Sequence, residues 1–380
     1  MSTFLIPRNI EFGENSLEIL KGLEGERAVL VTGGSSMKRF GFLDQAVDYL
    51  KEAGIESKIV DGVEPNPSVK TVIKGKEEML DFNPDWIIAI GGGSALDAAK
   101  IMWAFYEHPD LEFEDIIEVA SMPKLRNKAK FIAIPSTSGT ASEITAFSVI
   151  TDTENKIKYP IVSPEIVPDI AIVDPKIPAT MPAHITANTG MDVLAHAVEA
   201  FVSTAASDYS DALALKAIEM VFEYLPKAVS NGDDMVAREK MHNASTMAGM
   251  AFSNASLGIV HSLAHKIGGE LHVTHGLANA ILLPYVIEFN YEAAKEKFEI
   301  VEKALGVDSL ADSVRDLNKK LDIVPSFKAI DWLDYTEKDF ENILDRMSKN
   351  AHQDPCTLTN PQEPTVEDMK QIYTDSFYGN

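Results

Sequence analysis

The sequence predicts two domains in tandem: a Rossmann-like α/β domain with a parallel sheet over residues 1–178, and an all-α domain over residues 179–380. Three observations carry that expectation. Short β-rich apolar runs alternate with helical patterns through the first half, as in parallel sheets covered on both faces. The segment DPKIPATMP at 174–182 holds three prolines and ends the strand pattern. Beyond it helical periodicity is almost continuous, and 380 residues are too many for one ordinary core.

In order, AVLVTG (Ala28 to Gly33) reads as a buried strand and Phe42 to Ala53 as a helix. SKIVDGV is a second strand, followed by the helix PSVKTVIKGKEEMLDF, which opens on Pro and Ser as helix starts do. DWIIAIGGG is a third strand, LDAAKIMWAFY a helix and KFIAIPST a fourth strand. Right-handed crossovers then give a doubly wound sheet. The helices expected after the prolines include TGMDVLAHAVEAFVS, DALALKAIEMVFEYLPKAV, AREKMHNASTMAGMAFSN and GIVHSLAHKIGG. A cleft between the two domains is the expected ligand site.

Composition narrows the function. A net charge of −24 disfavours nucleic acid and anionic membrane surfaces, which would repel the chain. The opening MSTFLIPRNIEFGENS lacks a basic region followed by an apolar one, and no apolar run is long enough to span a membrane. The single cysteine, Cys356, fits a reducing, cytoplasmic setting and excludes a metal site built from several thiolates.

Two groups of residues carry chemistry. Gly91, Gly92, Gly93 and Ser94 sit where a strand meets a helix, so the backbone can approach a diphosphate and free N–H groups face an anion. Asp97 is expected in the first turn of that helix, where a carboxylate suits the dipole. A tight turn without a ligand would use the same residues. Two further loops, Thr32 to Ser36 and Pro135 to Thr140, follow strands expected to end at the same sheet edge, where α/β sheets bind ligands. After the first strand the chain offers Gly33 and Ser35, then Lys38 and Arg39, with no acid. That favours the 2′-phosphate of NADP(H) over the free ribose of NAD(H), unless the two cations only open a solvated helix.

The second group is Asp192, His196, His261, His265 and His275. Asp192 and His196 share a helix face at i,i+4, His261 and His265 repeat the spacing, and His275 precedes a glycine. A carboxylate with imidazoles and no thiolate suits Fe(II) or Zn(II). Any one of these histidines alone reads as a satisfied core residue. His108, His184, His242 and His352 lack such partners and read as structural or surface residues, while His272 could line the same cleft.

These residues resemble the iron-containing (group III) alcohol dehydrogenase family, butanol and 1,3-propanediol dehydrogenases included. The resemblance is carried by GGGSALDAAK at 91–100, PSTSGTASE at 135–143 leading into ITD at 150–152, and GIVHSLAHKIGGELHVTHG at 258–276. TGMDVLAHAVEAF and CTLTNPQEPTVEDM extend it to nearly the whole chain. The resemblance implies the fold shared with dehydroquinate synthase and a homodimer or higher homo-oligomer. It implies a metal held by Asp192, His196, His261 and His275, with His265 beside the substrate and nicotinamide. Thr137, Ser138, Thr140 and Lys158 would join Gly91 to Ser94 and Asp97 around the cofactor, and Phe147 and Phe252 would wall a pocket for a small primary alcohol or aldehyde. NAD-preferring relatives carry aspartate where this chain has Gly33. Thr274 stands where many relatives have proline, and Ala141 where glycine is common, an exchange expected to be without consequence. A zinc polyol dehydrogenase resembling glycerol dehydrogenase, a non-redox homologue resembling dehydroquinate synthase, and a nucleotide sensor remain alternatives.

Overall fold

The computed structural model describes residues 3–155 and 157–380. The chain divides into two compact units, residues 1–180 and 181–380.

The first unit contains β1 (Asn9–Phe12), β2 (Arg27–Gly33), α1 (Ser36–Arg39), α2 (Phe42–Glu52), β3 (Glu56–Val63), α3 (Val69–Phe82), β4 (Trp86–Gly91) and α4 (Gly93–Glu107). It continues with β5 (Lys130–Pro135), β6 (Phe147–Asp152), β7 (Ile157–Val162) and β8 (Ile170–Val173). Six strands form one parallel sheet in the order β1-β8-β5-β4-β2-β3. The central strands are apolar through their middles, AVLV, WIIAI and FIAI, because both faces are covered. Val29, Val31, Ile87, Ala89, Phe131 and Ala133 point into one core with α4. Their neighbours Ala28, Leu30, Ile88, Ile90, Ile132 and Ile134 point into the other with α2.

The sequence reading found four of these strands and missed the rest. β1 and β8 are four residues each, too short to show alternation. β6 and β7 pair as an antiparallel hairpin outside the main sheet. Its turn is fixed by Asp152, whose Oδ1 accepts the N–H groups of Glu154 and Asn155 at 2.9 and 3.0 Å.

The second unit is helical: α5 (Ala183–Val202), α6 (Asp208–Ser230), α7 (Met235–Ala255), α8 (Ile259–Leu271), α9 (His275–Asn290), α10 (Lys295–Leu305), α11 (Leu310–Lys320), α12 (Glu337–His352) and α13 (Val366–Tyr378). Helix α5 is buried along most of its length and packs against α6, α7 and α9. Two glycines allow the close approaches. A Cβ on Gly190 would lie 2.2 Å from Leu225 Cδ1, and one on Gly276 would lie 2.1 Å from the Asn188 carbonyl oxygen. Only glycine lets the first turn of α9 touch the backbone of α5 there. Among the described residues no helix is long and apolar enough to cross a membrane.

Candidate metal centre and nucleotide loops

Helices α5, α8 and α9 bring four sequence-predicted ligands together around Asp192. Its Oδ1 lies 4.0 Å from His196 Nε2, 3.8 Å from His261 Nε2 and 3.4 Å from His275 Nε2. Bonds of about 2.0–2.2 Å at a tetrahedral ion put neighbouring donors roughly 3.3–3.6 Å apart, so the cluster is slightly expanded. Asp192, His261 and His275 form the tightest group, with ligand atoms all within 4.8 Å of one another. The His196 ring stacks on Phe252 at 4.3 Å and on His261 at 4.6 Å between centroids.

Hydrogen bonding inside the cluster tests whether a cation fits. Asn279, one turn into α9, aims Nδ2 at Asp192 Oδ1 (2.7 Å), His261 Nε2 (3.3 Å) and His275 Nε2 (3.2 Å). A primary amide has two N–H bonds, and here it faces three lone pairs. Its own Oδ1 is buried without a hydrogen-bond partner. Three acceptors converging on two protons are under-satisfied, and a divalent cation supplies what is missing. The residues fit a metal.

Glu199 supports the centre from behind. It lies on α5, buried, and accepts from His261 Nδ1–H through Oε2 and from the Val260 N–H through Oε1 at 2.6 Å. With Nδ1 so engaged, His261 turns Nε2 toward Asp192. Burial pushes the Glu199 carboxyl up to about 8, against backbone N–H groups that favour its ionised form. Burial, with three neighbouring imidazoles, also holds His261 well below the ordinary histidine range, in the neutral form a ligand needs.

His265 stands next to this group. Its ring stacks on His275 at 5.4 Å and meets His261 edge-on at 6.0 Å. Its Nδ1 lies 3.2 Å from Asp354 Oδ2. The CTLTNPQE segment braces α8, since Asn360 Oδ1 accepts the Ile259 N–H and Thr359 Oγ1 donates to the Leu257 carbonyl at 2.6 Å. Asn279, Glu199 and Asp354 were not singled out from the sequence. A lone Glu in the apolar run AVEAF, three residues after His196, was the available signal for Glu199. His272 does not join the cluster; it ends α8 in a left-handed conformation and is exposed. His242 is buried, and burial lowers it to about 3, consistent with a structural role.

In the first unit, β5, β4 and β2 are neighbours, so the loops after them share one sheet edge. Two hydrogen bonds tie the strand ends: Ser136 N–H to the Gly91 carbonyl (2.8 Å) and Thr32 Oγ1 to the Ile90 carbonyl (2.8 Å). Helix α4 is preceded by Gly92 with no side-chain cap, and since the Ala95 N–H already bonds the Gly92 carbonyl, the N–H groups of Gly93 and Ser94 are left to a ligand. A Cβ on Gly93 would lie 2.9 Å from Thr140 Oγ1, and one on Gly92 would meet Thr137 Cγ2 at 3.6 Å, so side chains there would fill the cradle. Thr137 is half-buried, Ser138 buried and Thr140 exposed, while Ser35 and Lys38 are exposed after β2. Lys158 donates to Asn66 Oδ1 at 2.8 Å.

Three details differ from expectation. Asp97 is the fifth residue of α4, beyond its first turn; Ser142 Oγ donates to its Oδ1 (2.6 Å) and the Val149 N–H to its Oδ2 (3.0 Å). The carboxylate therefore anchors the 142–149 segment to α4. The glycine at 33 has a packing reason besides any cofactor choice, since a Cβ would lie 2.6 Å from the Val63 carbonyl oxygen. Ala141 takes a left-handed conformation, φ +53°, so its exchange for glycine is not conformationally free.

Comparison with known proteins agrees along the whole chain. Residues 7–175 match the iron-containing alcohol dehydrogenase family model, and residues 186–377 match the model of that family's C-terminal part. The NADPH-dependent butanol dehydrogenase of Clostridium saccharobutylicum is 52% identical over 100% of this chain and 99% of its own length. The iron-containing alcohol dehydrogenase structure from Thermococcus thioreducens superposes with a TM-score of 0.91 at 38% identity, covering 100% of both chains. A 1,3-propanediol oxidoreductase structure gives 0.92 at 34% identity, covering 99% of this chain and 100% of that one.

Proposed function

The chain belongs to the iron-containing alcohol dehydrogenase family, and from that premise we propose that it interconverts small primary alcohols and aldehydes with NADP(H) as the preferred hydride carrier. The observation that carries the reading is the meeting of Asp192 Oδ1 and the imidazoles of His196, His261 and His275 around an under-satisfied point. Those four residues would hold Fe(II), or Zn(II) in its stead. A metal bound there supplies Lewis acidity toward a carbonyl or alkoxide oxygen.

The remaining residues bind, orient and move protons. The first turn of α4, with Gly91 to Ser94, receives the diphosphate, and Thr137, Ser138 and Thr140 lie on the neighbouring loop. Asp97 shapes this region through Ser142 and Val149. Lys38 attracts a ribose 2′-phosphate, with Gly33 and Ser35 presenting no acid against it; the NADPH dependence named for the clostridial relative supports that preference. Lys158 is assigned to the cofactor as well. His265 exchanges the substrate proton with solvent, and Phe252, stacked on His196, gives the metal site an apolar flank. We assign the protein to the cytoplasm as a homodimer, on its single cysteine and the family resemblance. The family match favours a dehydrogenase over the non-redox and sensor readings.

The test is absorbance at 340 nm with anaerobically prepared protein, NADPH and butanal, with and without added Fe(II) or Zn(II). Oxidation of NADPH only with metal is expected, slower with NADH. Nucleotide binding with no turnover of any short aldehyde under either metal would refute the proposal.

A further inference from the structure

The His265 ring is held by a carboxylate that the sequence motifs did not mark. Asp354 is buried in the turn after α12, where Oδ1 accepts the Cys356 N–H at 3.1 Å. Its Oδ2 faces His265 Nδ1 at 3.2 Å and Lys266 Nζ at 2.8 Å. The Asp354 side chain is 6% exposed and the His265 side chain 41%, so a fixed anchor grips a ring that reaches solvent.

From this geometry we infer that Asp354 is a positioning residue for the proton-transfer step: it fixes His265 as the Nδ1–H tautomer, so that Nε2 carries the reactive lone pair. An ionised carboxylate only accepts hydrogen bonds, so Nδ1 must donate. Burial alone would raise the Asp354 carboxyl, but the hydrogen bond from His265 and the charge and hydrogen bond of Lys266 hold it well below the usual carboxylate range. In water a neutral imidazole favours the opposite tautomer, and the partner of one ring nitrogen decides the state of the other. Lys266 neutralises the carboxylate, so the anchor adds no net charge beside the metal ligands. Stacking on His275 fixes the ring plane, and the Asp354 bond fixes its rotation within that plane.

The inference deepens the dehydrogenase reading and rests on it for the proton transfer, while the tautomer itself is read without turnover. Asp354→Asn keeps shape and still accepts from the Cys356 N–H, but turns an amide N–H toward Nδ1. In aspartate–histidine pairs elsewhere, that exchange leaves geometry intact and lowers kcat up to about 10⁴-fold through the wrong tautomer. Long-range 1H–15N spectra of histidine-labelled protein, metal-free and zinc-loaded, are assigned for His265 by difference from His265→Gln. The expected wild-type spectrum has a protonated Nδ1 and a bare Nε2, reversed in Asp354→Asn. With it, kcat for butanal falls at least about 10²-fold, KM moves by less than about threefold and bound metal is unchanged. Asp354→Glu restores the Nδ1–H signal and most of kcat, which loss of folding would not allow. An unchanged tautomer in Asp354→Asn, or a reversed tautomer with wild-type kcat, overturns the inference. If wild-type protein turns over no short aldehyde, the dehydrogenase reading fails, while the spectra still decide whether Asp354 sets the tautomer.

Discussion

The candidate nucleotide loops and the candidate metal centre are made of opposite materials. At the carboxyl edge of the sheet the candidate site is built by leaving side chains out. Gly92 and Gly93 expose backbone N–H groups at the start of α4, and the residues around them are small. In the helical unit the site is built by forcing large polar side chains inward, and Asp192, His196 and His261 are all at most 5% exposed. The first arrangement needs only a local strand–turn–helix connection. The second needs α5 to meet the consecutive pair α8 and α9, more than fifty residues further on, and each buried polar group must find a partner or be costly. Backbone donors therefore tolerate change around them, whereas the imidazole cluster depends on every member.

The largest expected effect separates the two sites. His261→Ala removes the imidazole that Glu199 orients and the tightest group includes. Bound metal should be lost by elemental analysis, and kcat should fall at least about 10³-fold, the equivalent of about 4 kcal/mol of Lewis-acid stabilisation. Affinity for NADPH, followed by fluorescence titration, should stay within about threefold, since its donors belong to the other unit. Joint loss of metal and nucleotide binding in a folded protein would mean that the two sites are not independent.

Glu199→Gln probes the same cluster one step removed. The amide keeps the shape but replaces the carboxyl that faces His261 Nδ1 with a group whose second arm can only donate. Removing an orienting partner of this kind costs about 10–100-fold in metal affinity. Chelator competition against wild type measures it, and an unchanged affinity would show that Glu199 serves only to cap the start of α8.

Lys38→Glu tests the loop side. Lys38 is exposed, so its charge is screened and its effect modest. KM for NADPH should rise by about tenfold, near 1.4 kcal/mol, with KM for NADH nearly unchanged. Equal changes for both cofactors would mean that Lys38 acts through general charge rather than on a ribose phosphate. Gly33→Asp is the poorer probe, because a side chain there meets the Val63 carbonyl before it meets any cofactor.

Legibility in the sequence followed the same divide. The strands of the sheet centre are apolar over four or more residues and were readable, whereas β1 and β8 carry too few residues to show a period. The candidate ligands Asp192, His196 and His261 stood out because i,i+4 spacing survives folding as one helix face, and His275 because it precedes a glycine at a helix start. Their supports were not, since Glu199, Asn279 and Asp354 act through contacts between helices that no local spacing records. Asn279 in particular sits in the apolar run HGLANAILLP, where only the three-dimensional meeting of α5, α8 and α9 gives its amide a purpose.

The smallest effect concerns Ala141, where two opposing terms nearly cancel. A left-handed backbone at φ +53° costs a residue with a Cβ roughly 1–2 kcal/mol. Against that, the Ala141 methyl is buried and contributes about 0.8 kcal/mol. Alanine also restricts the unfolded chain by about 0.4–1 kcal/mol relative to glycine. Ala141→Gly should therefore move stability by less than about 1 kcal/mol in either direction, as measured by thermal or urea unfolding. Ala141→Val keeps the strained backbone, adds branching that this conformation rejects and overfills a closed space, so it should cost more than about 2 kcal/mol. Near-equal stability of all three proteins would mean that the loop before Glu143 relaxes freely, and that its left-handed turn does not help to fix the Ser142–Asp97 contact beneath the nucleotide loops.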